Sequence, residues 1–147
     1  SVKIADQTGV IFFTKDLEVN EVKTKTFDVS SLPNGFYTFT VSDDTKSMNT
    51  PFKILKENLD FDHQNTSITY FPGIQKIDNK IHINLLATSD KSIEIELDDS
   101  NNEVIFNENY QSERTFGKVL DLSQLPTGYY SVNVRVDGKS YTKSFRL

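Results

Sequence analysis

An internal repeat is the feature that most constrains how this chain can fold. Residues 27–41, FDVSSLPNGFYTFTV, align with residues 120–134, LDLSQLPTGYYSVNV, and seven of the fifteen positions are identical. The offset of 93 residues persists further along the chain, where residues 52–54 align with residues 145–147. A period of this length fits one β-sandwich domain per repeat. The sequence therefore predicts two related units in tandem.

Alternation of apolar and polar residues predicts that both units are built from half-buried β-strands. In the second unit, residues 80–85 and 92–97 place isoleucine or leucine at every other position. The pair Asp137-Gly138 predicts a two-residue hairpin turn, because both central residues of such a turn take positive φ. We expect an all-β fold of two tandem immunoglobulin-like antiparallel β-sandwich units.

The units have expected boundaries at residues 1–56 and 72–147, with residues 57–71 as a polar linker. The repeat includes Ile11-Phe12, which aligns with Ile105-Phe106 at an offset of 94. These boundaries leave the first unit with fewer strands than the second.

A gap at the start of the first unit follows from the alignment of Ser1 with Ser92, which leaves residues 72–91 without a counterpart. The first unit is thus expected to lack its opening strands. Three explanations remain open. The chain begins inside a longer precursor, or residues 55–69 or a smaller five-stranded sheet close the unit, or the open edge takes a strand from another molecule, since an unpaired edge offers free N–H and C=O groups.

Composition narrows the classes of function. A net charge of -5 and a pI near 5.0 repel a phosphate backbone, so nucleic acid is not an expected partner. The chain has no cysteine and no apolar run long enough for a membrane-spanning segment, and no motif for a phosphate loop or catalytic serine occurs. Asp60, Asp62 and His63 lack a reinforcing ligand motif, and the acidic run 98–103 is expected to be a solvated turn. We expect neither enzyme activity nor a metal or cofactor.

The most specific local chemistry in the sequence is a motif that occurs once in each unit. In this motif proline fixes one φ, glycine permits a tight reversal, and the following tyrosine buries its ring while its hydroxyl bonds to upstream backbone. Alternation then points the tyrosine and every second residue after it inward. The motif predicts two structural tyrosine corners, formed by Leu32, Pro33, Gly35 and Tyr37 and by Leu125, Pro126, Gly128 and Tyr130.

The second unit resembles a known group of domains at these residues. The pattern Asp-Leu-Ser-x-Leu-Pro-x-Gly-x-Tyr at 121–130, an alternating strand, a hairpin and Lys-x-Phe-x-Leu at 143–147 are similar to the small immunoglobulin-like domains of exported Bacteroidetes proteins. One such group consists of short secreted domains of unknown function. The other consists of the carboxy-terminal sorting domains of type IX secretion cargo. The resemblance implies a secreted, periplasmic or cell-surface protein.

The expected function is that of a non-catalytic exported module with an adhesion, assembly or spacer role, whose partner is a protein or a polysaccharide at the cell surface. Strand exchange through the first unit is a further expectation. One alternative is a carbohydrate-binding module, because exposed rings stack on sugars, and the other is a type IX secretion sorting domain. The candidate ligand-facing rings are Tyr70, Phe71, Tyr110, Phe116 and Tyr129, with Phe36 in the first unit.

Overall fold

The computed structural model describes residues 1–17, 24, 26–56, 58–86, 89–112 and 114–147. These residues form antiparallel strands and one short 3-10 helix, His63–Asn65, which confirms the expected all-β class. The chain divides into two units, Ser1–Thr69 and Tyr70–Leu147. The described part of the chain contains no helix with the length and hydrophobicity needed to cross a membrane.

The first unit has a single sheet among its described residues. The strand order is β2-β1-β3-β4-β5, and β6 also pairs with β4. The buried side chains of this unit are contributed mainly by the central strands β1, β3 and β4. The strands are β1 (Val2–Asp6), β2 (Ile11–Lys15), β3 (Gly35–Ser42), β4 (Lys46–Leu55), β5 (Asn58–Phe61) and β6 (Ser67–Tyr70).

Residues 57–71 are expected from the sequence to be a linker, and here the structure differs. Strand β5 pairs with β4, with Leu59 opposite Ile54, and the backbone N–H of Asp62 donates to the Pro51 carbonyl at 2.9 Å. The four residues of β5 alternate polar with apolar, yet all four side chains are exposed. Most of the expected linker therefore belongs to the first unit, as in the alternative in which residues 55–69 help to close it.

The second unit has two sheets that share one core. One sheet has the order β10-β9-β12-β13 and the other has the order β11-β8-β7. The expected hairpin joins β12 to β13, and Asp137 and Gly138 have φ angles of 47° and 80°. The strands are β7 (Gly73–Ile77), β8 (Lys80–Leu86), β9 (Lys91–Asp99), β10 (Val104–Ser112), β11 (Thr115–Asp121), β12 (Tyr129–Val136) and β13 (Lys139–Arg146).

Alternating aliphatic residues from both sheets fill the core of the second unit. The isoleucines of β8 and β9 and the valines of β12 are almost wholly removed from solvent. Burying each such side chain stabilises the fold by about 1.5–3 kcal/mol. The central members of this cluster are Ile81, Ile83, Ile93, Ile95, Val132 and Val134.

Strand pairing gives one offset of 93 residues throughout the two units. Asp6 lies opposite Tyr37, and Asp99 lies opposite Tyr130. The structural counterpart of Ser1 is therefore residue 94 and not Ser92. With this shift of two residues, the expectation that the first unit lacks its opening strands still agrees with the structure, because the described residues of that unit contain no counterpart of β7 and β8.

A one-residue bulge recurs at the same place in both units. Phe12 is skipped in the pairing of β2 with β1, and Ile105 is skipped in the pairing of β10 with β9. The sequence alignment of Ile11 with Ile105 is thus one residue out of register. The error arises because an Ile-Phe dipeptide occurs in both units, and its identity outweighs the correct match of Phe12 with Ile105.

Candidate recognition surface

Both Leu-Pro-x-Gly-x-Tyr segments have the geometry of a tyrosine corner. The Tyr37 hydroxyl donates to the Pro33 carbonyl at 2.7 Å, and the Tyr130 hydroxyl donates to the Pro126 carbonyl at 2.8 Å. Each ring lies over the glycine two residues earlier, since a Cβ added there would lie 3.5 Å from a ring carbon. A buried hydroxyl without a partner is costly, so these bonds hold the loop against the sheet.

Each corner tyrosine stacks on a phenylalanine from the neighbouring strand. The centroids of Tyr37 and Phe52 are 5.4 Å apart, and those of Tyr130 and Phe145 are 6.2 Å apart. Tyr37, Phe52 and Tyr130 are buried, whereas Phe145 is half-buried. Both corner tyrosines thus pack within their own units, and Tyr37 and Phe52 also line a cavity of the first unit.

An aspartate-capped turn precedes each corner. The Ser30 backbone N–H donates to the Asp28 carboxylate at 2.9 Å, and the Ser123 backbone N–H donates to Asp121 at 3.0 Å. The pKa of Asp28 is lowered chiefly by the backbone N–H of Ser30, and the pKa of Asp121 chiefly by the Ser123 side chain. Both carboxylates are charged at neutral pH and fix the chain that enters the corner.

An exposed aromatic ring with a cation over it stands beside each corner, and we call this arrangement the aromatic–cation pair. Phe36 is 57% exposed and has the Lys53 ammonium 5.2 Å from its centroid. Tyr129 is 64% exposed and has the Arg146 guanidinium 5.6 Å from its centroid. The two pairs are related by the 93-residue offset. Exposed rings beside a cation are suited to contact a partner surface.

The pair in the first unit borders a cavity of about 320 Å³. Two carboxylates, Asp60 and Asp62, face it together with the Lys53 side chain. The site therefore combines one apolar surface with charges of both signs. The lining residues that matter here are Gln7, Phe36, Thr38, Lys53, Asp60 and Asp62.

The other expected ligand-facing rings have separate partners. The ring centroids of Tyr110 and Phe116 are 5.1 Å apart, and both rings pack against the core of the second unit. The ring centroids of Phe71 and Tyr141 are 5.4 Å apart, and Tyr70 is half-buried. Tyr129 is thus the most exposed of the five rings that the sequence suggests.

The Tyr110–Phe116 contact carries its own ion pair. The Lys118 ammonium lies 5.0 Å from the Tyr110 centroid and 3.3 Å from the Glu108 carboxylate, to which the Tyr110 hydroxyl also donates. The hydrogen bond from Tyr110 is the main cause of a lowered pKa at Glu108, and the bond from Lys118 adds to it. They also occupy the carboxylate, so it does not stand ready as a base.

Sequence reasoning missed the cationic partners Lys53 and Arg146. The signal was present, because the repeated tripeptides Phe-Lys-Ile and Phe-Arg-Leu carry a cation at the same position. What the sequence did not supply is the pairing of β3 with β4 and of β12 with β13, which puts Lys53 opposite Phe36 and Arg146 opposite Tyr129.

Acidic residues in segments 60–63 and 98–103 accept hydrogen bonds within their own turns. Asp62 accepts hydrogen bonds from the backbone and side chain of Asn65, and the His63 ring stacks on Phe61 at 5.7 Å. Asp99 accepts from the backbone N–H groups at residues 101 and 103. Within the described ranges, no group of three or more histidine, aspartate or glutamate side chains is arranged to hold a metal ion.

Comparison with known families gives a match over most of the chain. The sequence model of a family described as secretion system C-terminal sorting domain matches residues 1–57 and 77–146. The two matched stretches correspond to the two units, and each contains one corner and one aromatic–cation pair. No curated protein matches the chain significantly.

Proposed function

Since the chain belongs to the secretion system C-terminal sorting domain family, we propose that its second unit is an export signal recognised by the type IX secretion apparatus of Bacteroidetes. The family is not a catalytic one, and membership implies an exported protein. The family match over both units is the observation that carries the proposal. The final destination, at the cell surface or released from it, belongs to the proposal as well.

The second unit is the better candidate for the signal because its described residues form two sheets around one core. A receptor that recognises a folded surface needs that surface held rigid. The Tyr130 corner bond and the pairing of β12 with β13 hold Tyr129 and Arg146 in place. We propose that this aromatic–cation pair is part of the surface that the apparatus contacts.

The test is a set of three fusions in a host with a working type IX apparatus. A periplasm-directed reporter is joined to the whole chain, to residues 70–147 or to residues 1–69, and reporter outside the outer membrane is measured. We expect export with the first two fusions and a loss of most export with the third. The same fusions in a host that lacks the apparatus provide the control. Reporter that stays in the periplasm with the whole chain would contradict the proposal.

An adhesion, assembly or spacer role after export is the second proposal, and it is compatible with the first. It rests on the tandem units and on the acidic composition. Carbohydrate binding ranks behind both, because Tyr110 and Phe116 pack on the core and leave Tyr129 and Phe36 as the open rings. A glycan array with the whole chain tests it, and protection of Tyr129 by a polysaccharide would move it forward.

A further inference from the structure

The cavity beside Phe36 lies on the outer face of the first sheet, and three of its lining side chains form one row across three strands. Phe36 of β3 lies opposite Lys53 of β4, and Lys53 lies opposite Asp60 of β5. The backbone pairing therefore places a ring, a cation and a carboxylate side by side on one face. The cavity volume of about 320 Å³ falls at the lower end of the range for small-molecule sites, which is about 300–1,000 Å³.

The two charged groups of this row do not pair with each other. The Lys53 ammonium lies 5.2 Å from the Phe36 centroid, and the ion pairs formed by the described residues do not include Lys53 or Asp60. Asp62 is the second carboxylate of the cavity, and Asn65 holds it in place with a backbone N–H at 3.2 Å and a side-chain amide at 2.7 Å. A carboxylate has about four lone-pair sites, so both aspartates retain acceptors for a ligand.

The hydrogen-bonding chemistry of these groups favours a ligand that is rich in hydroxyl groups. An ammonium only donates hydrogen bonds and a carboxylate only accepts them, whereas a hydroxyl does both. Neighbouring hydroxyls of one molecule can therefore accept from Lys53 and donate to Asp60 at the same time. The Gln7 amide and the Thr38 hydroxyl, which also line the cavity, can donate or accept. Phe36 is 57% exposed and offers an apolar surface to the C–H groups of the same ligand.

The position of the cavity on the face of the sheet disfavours an extended peptide as the ligand. A peptide that adds to a sheet gains affinity by pairing with the free backbone groups of an edge strand. In the row from Phe36 to Asp60, β4 already pairs with β3 on one side and with β5 on the other. Side chains are thus the groups that meet the ligand. A saccharide presents hydroxyl and C–H groups together on one rigid ring.

The second unit repeats the ring and the cation but not the carboxylate. Tyr129 and Arg146 form the equivalent pair, and β13, which carries Arg146, is the last strand in the described order of its sheet. No described strand beyond β13 places an acidic side chain beside Arg146. The two pairs therefore differ in strand β5, which brings Asp60 next to Lys53 in the first unit.

We propose that the cavity beside Phe36 is a saccharide-binding site of the first unit. The ring packs against the C–H face of one sugar residue, Lys53 donates to a hydroxyl oxygen, and Asp60 accepts from a neighbouring hydroxyl. This proposal rests on the carbohydrate alternative, to which it assigns a place and a set of residues. It does not rest on the export signal, which is proposed for the second unit, so either can fail without the other.

The test is a titration of the whole chain with the methyl glycosides of glucose, galactose and mannose, which differ in the orientation of neighbouring hydroxyls. Nuclear magnetic resonance of a ¹⁵N-labelled sample follows each backbone amide. We expect at least one sugar to shift the amides of residues 36–38 and 52–53 in a saturable way, with a dissociation constant of about 1–10 mM. Cyclohexanol has an apolar ring but a single hydroxyl, and it should bind at least about tenfold more weakly.

Two comparisons of variants place the sugar in the cavity. Phe36→Ser and Tyr129→Ser each remove one of the two open rings at equivalent positions of the repeat. We expect Phe36→Ser to weaken binding at least about tenfold and Tyr129→Ser to change it less than about twofold. Asp60→Ala should weaken binding at least about fivefold, whereas Asp44→Ala, in the exposed turn between β3 and β4, should not. Circular dichroism establishes that all four variants are folded.

Three results would overturn the inference. The first is the absence of saturable shifts with all three sugars at about 100 mM. The second is equal weakening by Phe36→Ser and Tyr129→Ser, because the sugar would then not distinguish the two units. The third is cyclohexanol binding as tightly as the sugars, since the ring alone would then account for the contact. None of these results bears on export, which is measured by the reporter fusions.

Discussion

Val41 and Val134 occupy the same position in the two repeats, yet Val41 keeps 36% of its surface exposed while Val134 keeps none. Each valine lies in the strand after its tyrosine corner and faces the inner side of its sheet. Val134 is covered by the cluster that includes the residues of β8. The described residues of the first unit provide no equivalent cover for Val41, so one residue type at one position experiences two environments.

Alanine at these two positions should therefore have unequal effects on stability. Val134→Ala removes buried methyl groups and leaves a cavity, so we expect a loss of about 2–3 kcal/mol in the free energy of unfolding. Val41→Ala should cost less than about 1 kcal/mol, because much of the side chain is already in water. Urea denaturation of each variant measures both values. Equal losses would show that the two valines are equally covered in solution.

Removal of the corner hydroxyls should destabilise each unit separately. Tyr130→Phe keeps the ring and its contact with Phe145 but leaves the Pro126 carbonyl without this donor. We expect a loss of about 1–2 kcal/mol in the free energy of unfolding. Tyr37→Phe is the matched change in the first unit. A change below about 0.3 kcal/mol in both variants would mean that water replaces the lost donor at no cost.

Loss of the exposed ring beside the second corner should impair export more than stability. Tyr129→Ser removes the partner of Arg146, and an exposed cation–π contact contributes about 0.5–1 kcal/mol. We expect unfolding to change by no more than this while reporter export falls at least about fivefold, because exposed aromatic residues dominate contact energies. Ile77→Ser, at another exposed apolar position of the same unit, is the control. Equal export by both variants would exclude Tyr129 from the recognised surface.

Acid should destabilise both units through their turn aspartates. The pKa of Asp6 is lowered chiefly by the Thr8 side chain, and the pKa of Asp99 chiefly by the backbone N–H of Glu103. When folding lowers the pKa of an aspartate, the charged carboxylate stabilises the folded state. This stabilisation is fully present above the pKa of the unfolded chain, about 3.8, and is lost as the pH falls through the lower pKa of the folded state. We expect the urea midpoint to fall when the pH is lowered from 5 to 2.5.

Asparagine variants provide the control for the acid experiment. Asp6→Asn and Asp99→Asn keep an acceptor oxygen for the turn and remove the titration, so the variants should show a weaker pH dependence. Asp98 has the opposite effect on stability. Its pKa is raised, mainly by burial and then by the charges of Glu96 and Asp99, so its protonation at low pH favours the folded state. A stability that rises steadily between pH 5 and pH 2.5 would mean that Asp98 outweighs the turns.

Local signals were sufficient to predict the elements around the corners. Proline, glycine and tyrosine at fixed spacing define the loop, and positive φ at Asp137 and Gly138 follows from their residue types. The alternating isoleucines likewise predicted β8 and β9. In each case the physical constraint acts between residues close in the chain, so the sequence contains all of it.

Features that depend on distant partners were not predictable. Strand β5 alternates polar and apolar residues over only four positions, and its pairing with β4 is made by backbone groups that every sequence shares. The placement of Lys53 against Phe36 follows from the pairing of β3 with β4. Alternation predicts that Val41 points to the inner face, and it does, but alternation says nothing about whether that face is covered.

The order of strands in the second unit has a kinetic consequence. Strand β8 pairs with β7, its neighbour in the chain, but also with β11, and β9 pairs with β12, so these sheet contacts join residues that are far apart in sequence. Domains with many such contacts fold slowly. A chain that emerges amino end first cannot close this unit until Tyr129–Val136 has emerged, and until then β8 and β9 remain available to chaperones.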